Sequence, residues 1–155
     1  METAPATELS VYDVSPDALS RLKRSADVRR SMADTVRACV EIGFLVAKEQ
    51  DDKCTFYGGS NPLPIGDPRQ LVYWPDAKGE IRCQTFLETR QKLSQLATKF
   101  GIDENSAMNW CIDCLDRFDE AYDDRLRIKS VSKYGGYLEF KLQGRSRRRR
   151  NWNVT

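Results

Sequence analysis

Two groups of residues have types and spacing that chemistry could use. Cys111 and Cys114 form a CxxC, the spacing with which two thiolates share a zinc ion or make a redox pair. Asp113, Asp116, Asp119, Glu120, Asp123 and Asp124 crowd the same stretch, and clustered carboxylates hold divalent cations in nucleases. Neither group is completed by the rest of the chain. There is no histidine, hence no base that titrates near pH 7. A four-thiolate zinc site would have to recruit Cys54 and Cys83 from afar, and no glycine turn surrounds the CxxC. The P-loop, GxSxG and HExxH patterns do not occur. The reading is therefore a non-enzyme with no metal and no cofactor. The cysteines, five in number, are expected to be reduced and to act as small apolar residues, and the acids to form the exposed face of a helix.

A second set of residues suits nucleic acid. From residue 125 to 155 ten cations face only Glu139, a balance of +9. Since the whole chain of 155 residues carries +2, the first 124 must hold −7. The cations are Arg125, Arg127, Lys129, Lys133, Lys141, Arg145, Arg147, Arg148, Arg149 and Arg150. Such an end favours phosphate or another acidic partner. Upstream, Arg82 and Gln84 alternate along an extended stretch, and Asn105, Ser106 and Asn109 open a helical one. Arginine pairs with guanine, and glutamine or asparagine with adenine, through their major-groove edges.

The elements that would position these side chains follow from local pattern. Hydrophobic residues at 40% and charged residues at 31% suit one α+β domain over 16–143, between a flexible N-terminus (1–15) and a basic tail (144–155). Ser15-Pro16-Asp17 reads as a helix start: a serine cap, a proline at the first position and an acid at the positive dipole end. The apolar spacing predicts a long helix to about Ile42, stopped at Gly43, with a bend or split near Ser31. Short strands are expected at 44–48 and 54–57, and a loop or hinge over 58–68. A hairpin of 70–74 with 80–87 follows, with Ile81, Cys83, Thr85 and Leu87 on one face and Arg82, Gln84 and Phe86 on the other.

Two helices then stand at 88–101 and 104–122, turned at Gly101 and capped by Asp103. Leu93, Leu96, Ala97 and Phe100 form the buried stripe of the first. Ala107, Met108, Cys111, Ile112, Leu115 and Phe118 form that of the second. A C-terminal hairpin (125–132 with 137–142, turned at Gly135-Gly136) precedes the arginine run and Trp152. No apolar run reaches the roughly 18 residues of a membrane helix, and the first residues lack the basic start and apolar core of a secretion signal. The expectation is a cytoplasmic location, on the nucleoid if the chain binds DNA.

The order helix, helix-turn-helix, hairpin, carried by LATKFGIDENSAMNW and the strands after it, resembles the winged helix-turn-helix proteins. That resemblance implies that Asn105, Ser106 and Asn109 read bases while Lys129, Lys133 and Lys141 hold phosphates on the wing. Against it stand the acids of the reading helix, which DNA repels. The stretch IRCQTFL followed by LSQLATKFGIDENSAMNWCIDCL is also similar to the ribbon-helix-helix proteins. In that family the strand reads bases, which implies Arg82 and Gln84 as readers, with Phe86 on the same face toward the groove, and a dimer that supplies the second strand. Thr89-Arg90 departs from its pattern, where an apolar residue is expected, and 70–74 would hide the strand by pairing with it. Both resemblances imply a small DNA-binding regulator or accessory factor acting as a homodimer on double-stranded DNA. The arginine run, Arg145 and Arg147 to Arg150, would grip the backbone. The alternatives are an RNA-binding protein that uses this run with Trp152, and a protein adaptor or inhibitor that uses the acidic helix.

Overall fold

The computed structural model describes residues 7–26, 31–51, 54–58, 61–62, 65, 79–123, 128–132, 137–143 and 151–154. The architecture is mixed α and β, with four helices and two antiparallel sheets among the described residues. Strand β1 (Thr7–Val14) leads into helices α1 (Pro16–Ala26) and α2 (Met32–Asp51). Strands β2 (Cys54–Gly58), β3 (Asn61–Pro62) and β4 (Gly79–Phe86) follow, then helices α3 (Leu87–Phe100) and α4 (Glu104–Asp123). Strands β5 (Ile128–Ser132), β6 (Tyr137–Gln143) and β7 (Asn151–Val154) close the chain. No helix among the described residues is long and apolar enough to cross a membrane.

Several expectations are corrected. Residues 7–14 form a strand rather than a frayed end, because Tyr12 and Val14 are buried and β1 finds an antiparallel partner in β4. The helical stretch from Pro16 splits beside Ser31, where a bend or split is expected, into α1 and α2. The second has its own cap: the Ser31 Oγ accepts the Asp34 N–H at 3.1 Å, and the Thr35 N–H goes to the Ser31 carbonyl. Gly43 does not end it. Residues 44–48, expected as a strand, continue the helix, since Val36, Cys39, Val40, Val46 and Ala47 keep helical spacing on one buried face. Gly43 lies within that face, where a β-carbon would collide with the Cys111 Sγ on α4. Its missing side chain serves close helix approach rather than a turn.

The pair α3 and α4 appears where the sequence places it. Gly101 adopts φ 65° and ψ 36° and closes α3, with the Ile102 N–H reaching back to the Ala97 carbonyl at 3.0 Å. Asp103 caps α4 through the Ser106 N–H at 2.7 Å. The stripe expected on each helix is buried. On α4 the burial extends further, to Trp110 and Cys114. Helices α1, α2 and α3 and strands β1 and β2 all pack on α4, which makes it the central helix. Trp110 meets Phe100 edge to face at 5.5 Å, and Phe118 meets Phe56 of β2 at 6.5 Å.

The second sheet has the order β3-β2-β5-β6-β7. Strand β2 pairs with β5 and β3, and β7 (Asn151–Val154) lies beside β6, within the stretch expected as a tail. The expected strand at 70–74, most of the 58–68 loop, the turn at Gly135-Gly136 and the arginines from 145 to 150 lie outside the described residues.

Candidate nucleic-acid interface

Among the described residues the first sheet is a two-stranded antiparallel ribbon made within one chain. Its register sets Thr7 against Phe86, Leu9 against Gln84, Val11 against Arg82 and Asp13 against Glu80. Alternation does the rest. Ile81, Thr85, Tyr12 and Val14 turn inward and are buried, while Glu80, Arg82, Gln84, Leu9 and Val11 turn outward and are exposed. Over 81–86 the face pattern expected for β4 is what the structure has, but Leu87 opens α3 and is exposed; β4 pairs with β1, and the partner expected at 70–74 lies outside the described residues.

The inner side is fastened by hydroxyls. Thr85 Oγ1 donates to the Glu8 carbonyl at 3.2 Å, which leaves the Ser10 hydroxyl as donor in the 2.6 Å contact between the two side chains. From α3, the Arg90 guanidinium donates to the Thr85 carbonyl at 2.6 Å and meets the Glu8 carboxylate at 3.4 Å. Burial raises the pKa of the Tyr12 phenol, with the Ser10 hydrogen bond opposing. Arg90 is thus a positioning residue for the ribbon. Its neighbour Thr89, at the position where an apolar residue is expected, is buried, and its hydroxyl has no hydrogen-bond partner among the described residues.

On the outer side Arg82 lies between Glu80 and Gln84. Its guanidinium donates to the Glu80 carboxylate at 2.9 and 3.3 Å while its side chain stays 62% exposed. An exposed pair of this kind is worth at most about 1 kcal/mol, so it opens at little cost. Leu9 and Val11, about half exposed, supply an apolar strip on the same face. They went unnoticed in the sequence because residues 1–14 read as frayed, although LSVYDV does contain an alternating set.

The other candidate residues are arranged differently. Asn105 and Asn109 are half-buried and turned toward β1. Their side-chain oxygens accept the backbone N–H groups of Asp13 and Ser15, each at 3.1 Å. Ser106 is half-buried beside them, its N–H taken by the Asp103 cap. These three residues therefore do not join Arg82 and Gln84 on one surface. Lys129 lies on β5 and Lys141 on β6. Lys133, Arg145, Arg147, Arg148, Arg149 and Arg150 lie outside the described residues.

Of the acids expected as the solvated face of α4, Asp113 and Asp116 are instead paired, while the side chains of Asp119, Glu120, Asp123 and Asp124 lie outside the described residues. Arg21 of α1 meets Asp113 at 3.0 Å, Asp116 at 3.4 Å and Asp17 at 3.0 Å, and Arg117 meets Asp113 at 3.2 Å. Burial alone would lower the Arg21 pKa, but the carboxylates of Asp116, Asp17 and Asp113 outweigh it and hold the pKa up. Packing α1 across α4 is what turns Asp113 and Asp116 into an ionic seam. Cys111 and Cys114 are fully buried, and neither forms a disulfide. Burial pushes both α4 thiols well above the usual cysteine range. No group of three or more metal-ligating side chains is gathered among the described residues. No family model, curated protein or solved structure matches the chain.

Proposed function

We propose that this protein binds double-stranded DNA by laying the outward face of the β1–β4 ribbon in the major groove. The observation that carries this reading is the pair Arg82 and Gln84, exposed side by side on a ribbon that one chain completes alone. Two strands sit about 4.8 Å apart, and a groove about 12 Å wide takes a ribbon of that width. Arg82 suits guanine O6 and N7, Gln84 suits adenine N6 and N7, and Val11 and Leu9 suit thymine methyl groups. Asp13 and Glu80 leave the face without net positive charge, so affinity must come from elsewhere. The arginine-rich sequence 145–150 supplies it through phosphates, and a second copy of the chain reads a second half-site.

The test is fluorescence anisotropy on pooled random duplexes across a salt series, followed by sequencing of the retained pool. The proposal expects affinity that falls steeply with salt. Arg82→Ala with Gln84→Ala should erase sequence preference while keeping non-specific binding. Alanine at Arg147, Arg148, Arg149 and Arg150 should weaken all duplexes and flatten the salt slope. Indifference to duplex DNA in dilute buffer would overturn it.

One observation favours a second reading. Leu9 and Val11 are exposed large apolar residues on a face that also carries acids, which suits a protein partner as well as a base edge. In that case Val11→Lys abolishes the protein contact, and no duplex competes for it.

A further inference from the structure

The register of the β1–β4 ribbon sets the spacing of its outward side chains as well as their identity. Along one strand they recur at every second residue, about 6.8 Å apart. Successive base pairs of a duplex rise about 3.4 Å, so side chains at i and i+2 meet base pairs two steps apart. Arg82 and Gln84 are such residues on β4, and both are exposed. Between them Cys83 packs against the core, and Ser10, opposite Cys83, is hydrogen-bonded to Thr85. The intervening base pair therefore meets no outward side chain of the ribbon.

Across the ribbon, Leu9 stands opposite Gln84 and Val11 opposite Arg82. Such cross-strand neighbours lie side by side at about 5 Å, as the two bases of one pair do across the major groove. Where Gln84 takes adenine, Leu9 faces the thymine of the same pair and its C5 methyl group. Where Arg82 takes guanine, Val11 faces the cytosine, whose C5 carries a methyl only when modified. Leu9 is 52% and Val11 46% exposed, so each has apolar surface left to bury.

Arg82 reaches guanine without leaving Glu80. Both of its hydrogen bonds to Glu80 come from the Nε and Nη2 side of the guanidinium. The end formed by Nη1 and Nη2 stays open for guanine O6 and N7. The levels on either side are taken up. Phe86 carries the Arg37 guanidinium 4.6 Å from its ring centre. At the other end Glu80, turned to Arg82, lies opposite the half-buried Asp13.

We propose that each copy of the chain reads two base pairs separated by one unread pair. They present an adenine and a guanine on the same DNA strand, with Leu9 on the thymine methyl and Val11 at C5 of the cytosine. This rests on the ribbon lying in the major groove and adds the spacing, the strand and the methyl contacts. Both purines share a strand because both polar readers belong to β4. Methylation of that cytosine at C5 strengthens binding, since Val11 then buries one more methyl group.

The test uses the full-length protein. Selection from a random duplex pool, followed by sequencing, reads the spacing. Anisotropy on the selected duplex reads the methyl contacts, with deoxyuridine replacing the thymine opposite the adenine or 5-methylcytosine replacing the cytosine opposite the guanine. These changes are made in the DNA, so the fold of the protein is untouched. Deoxyuridine should weaken binding about fourfold and 5-methylcytosine strengthen it about fourfold, the worth of one buried methyl group. Leu9→Ala should abolish the first effect and keep the second, and Val11→Ala should do the reverse. A selected site with the two purines adjacent, further apart or on opposite strands would overturn the proposal. So would indifference to either methyl group, or methyl effects that survive both alanine variants. If Arg82→Ala with Gln84→Ala erases preference in those cases, the ribbon reads DNA in another arrangement. If that double variant keeps the wild-type preference, or no duplex is bound, the ribbon reading falls and this proposal with it.

Discussion

The side-chain oxygen of Asn109 accepts the backbone N–H of Ser15 at 3.1 Å, joining α4 to the start of α1 across 94 positions of sequence. One turn earlier, Asn105 does the same for Asp13. These two amides fix the end of β1 against the central helix. They also spend the groups that a base-reading helix would need.

A separation of stability from recognition follows. Asn109→Ala leaves the half-buried Ser15 N–H without its acceptor and should cost about 1 to 3 kcal/mol in denaturant melts. Asn105→Ala should behave alike. Neither should change the sequence preference of any duplex binding once assayed well below its melting temperature, whereas Arg82→Ala should change preference and leave stability within about 0.5 kcal/mol. An asparagine variant that folds as well as wild type but loses preference would restore the helix reader.

Close packing at Gly43 gives a second expectation. A β-carbon there meets the Cys111 Sγ, and the Cys111 β-carbon lies 3.3 Å away. Gly43→Ala should therefore destabilise by about 1 to 3 kcal/mol through overpacking, despite the gain in helix propensity. Cys111→Ala in the same chain should recover part of that loss. A double-mutant cycle measures the coupling, and additive effects would mean that the helices separate freely.

Thr89 offers a change of the opposite sign. Its hydroxyl is buried and unpaired among the described residues, whereas valine keeps the shape and removes the polar group. Thr89→Val should raise the unfolding free energy by about 1 kcal/mol or more. A fall in stability would mean that the hydroxyl has a partner.

Stability should also decline in alkali. The ordinary thiol titrates near 9.0, and burial holds Cys111 and Cys114 well above it in the folded chain. Above pH 9 the unfolded chain binds fewer protons than the folded one, so stability falls as pH rises, by up to about 1.4 kcal/mol per pH unit for each thiol. Below pH 9 both states keep the proton and the slope vanishes. Lys92 adds to the same trend at higher pH. Burial alone would lower its pKa, but its hydrogen bonds to Glu41 and Glu88 raise it above 10.5. The stabilisation present below that value is lost as pH rises through the folded pKa. Denaturant melts from pH 7 to 11 check this, and Cys114→Ala should flatten the slope that begins at pH 9.

Local pattern alone determined the helical pair. Gly101, Asp103 and the apolar stripes act over three or four residues, and the structure keeps all of them. The inward and outward faces of β4 were legible for the same reason, since alternation belongs to one strand. What the strand pairs with was not, because β1 lies some 70 residues away and no local rule selects it. Gly43 read as a helix end because a glycine's local and tertiary uses look alike in sequence, and only Cys111 distinguishes them. Asn105 and Asn109 read as base contacts for a similar reason. An amide's chemistry is written in its type, but whether water, DNA or a backbone N–H meets it is set by the element packed alongside. The tertiary structure decided that partner here, bringing β1 onto both α4 and β4. It thereby engaged the asparagines and left Arg82 and Gln84 facing outward.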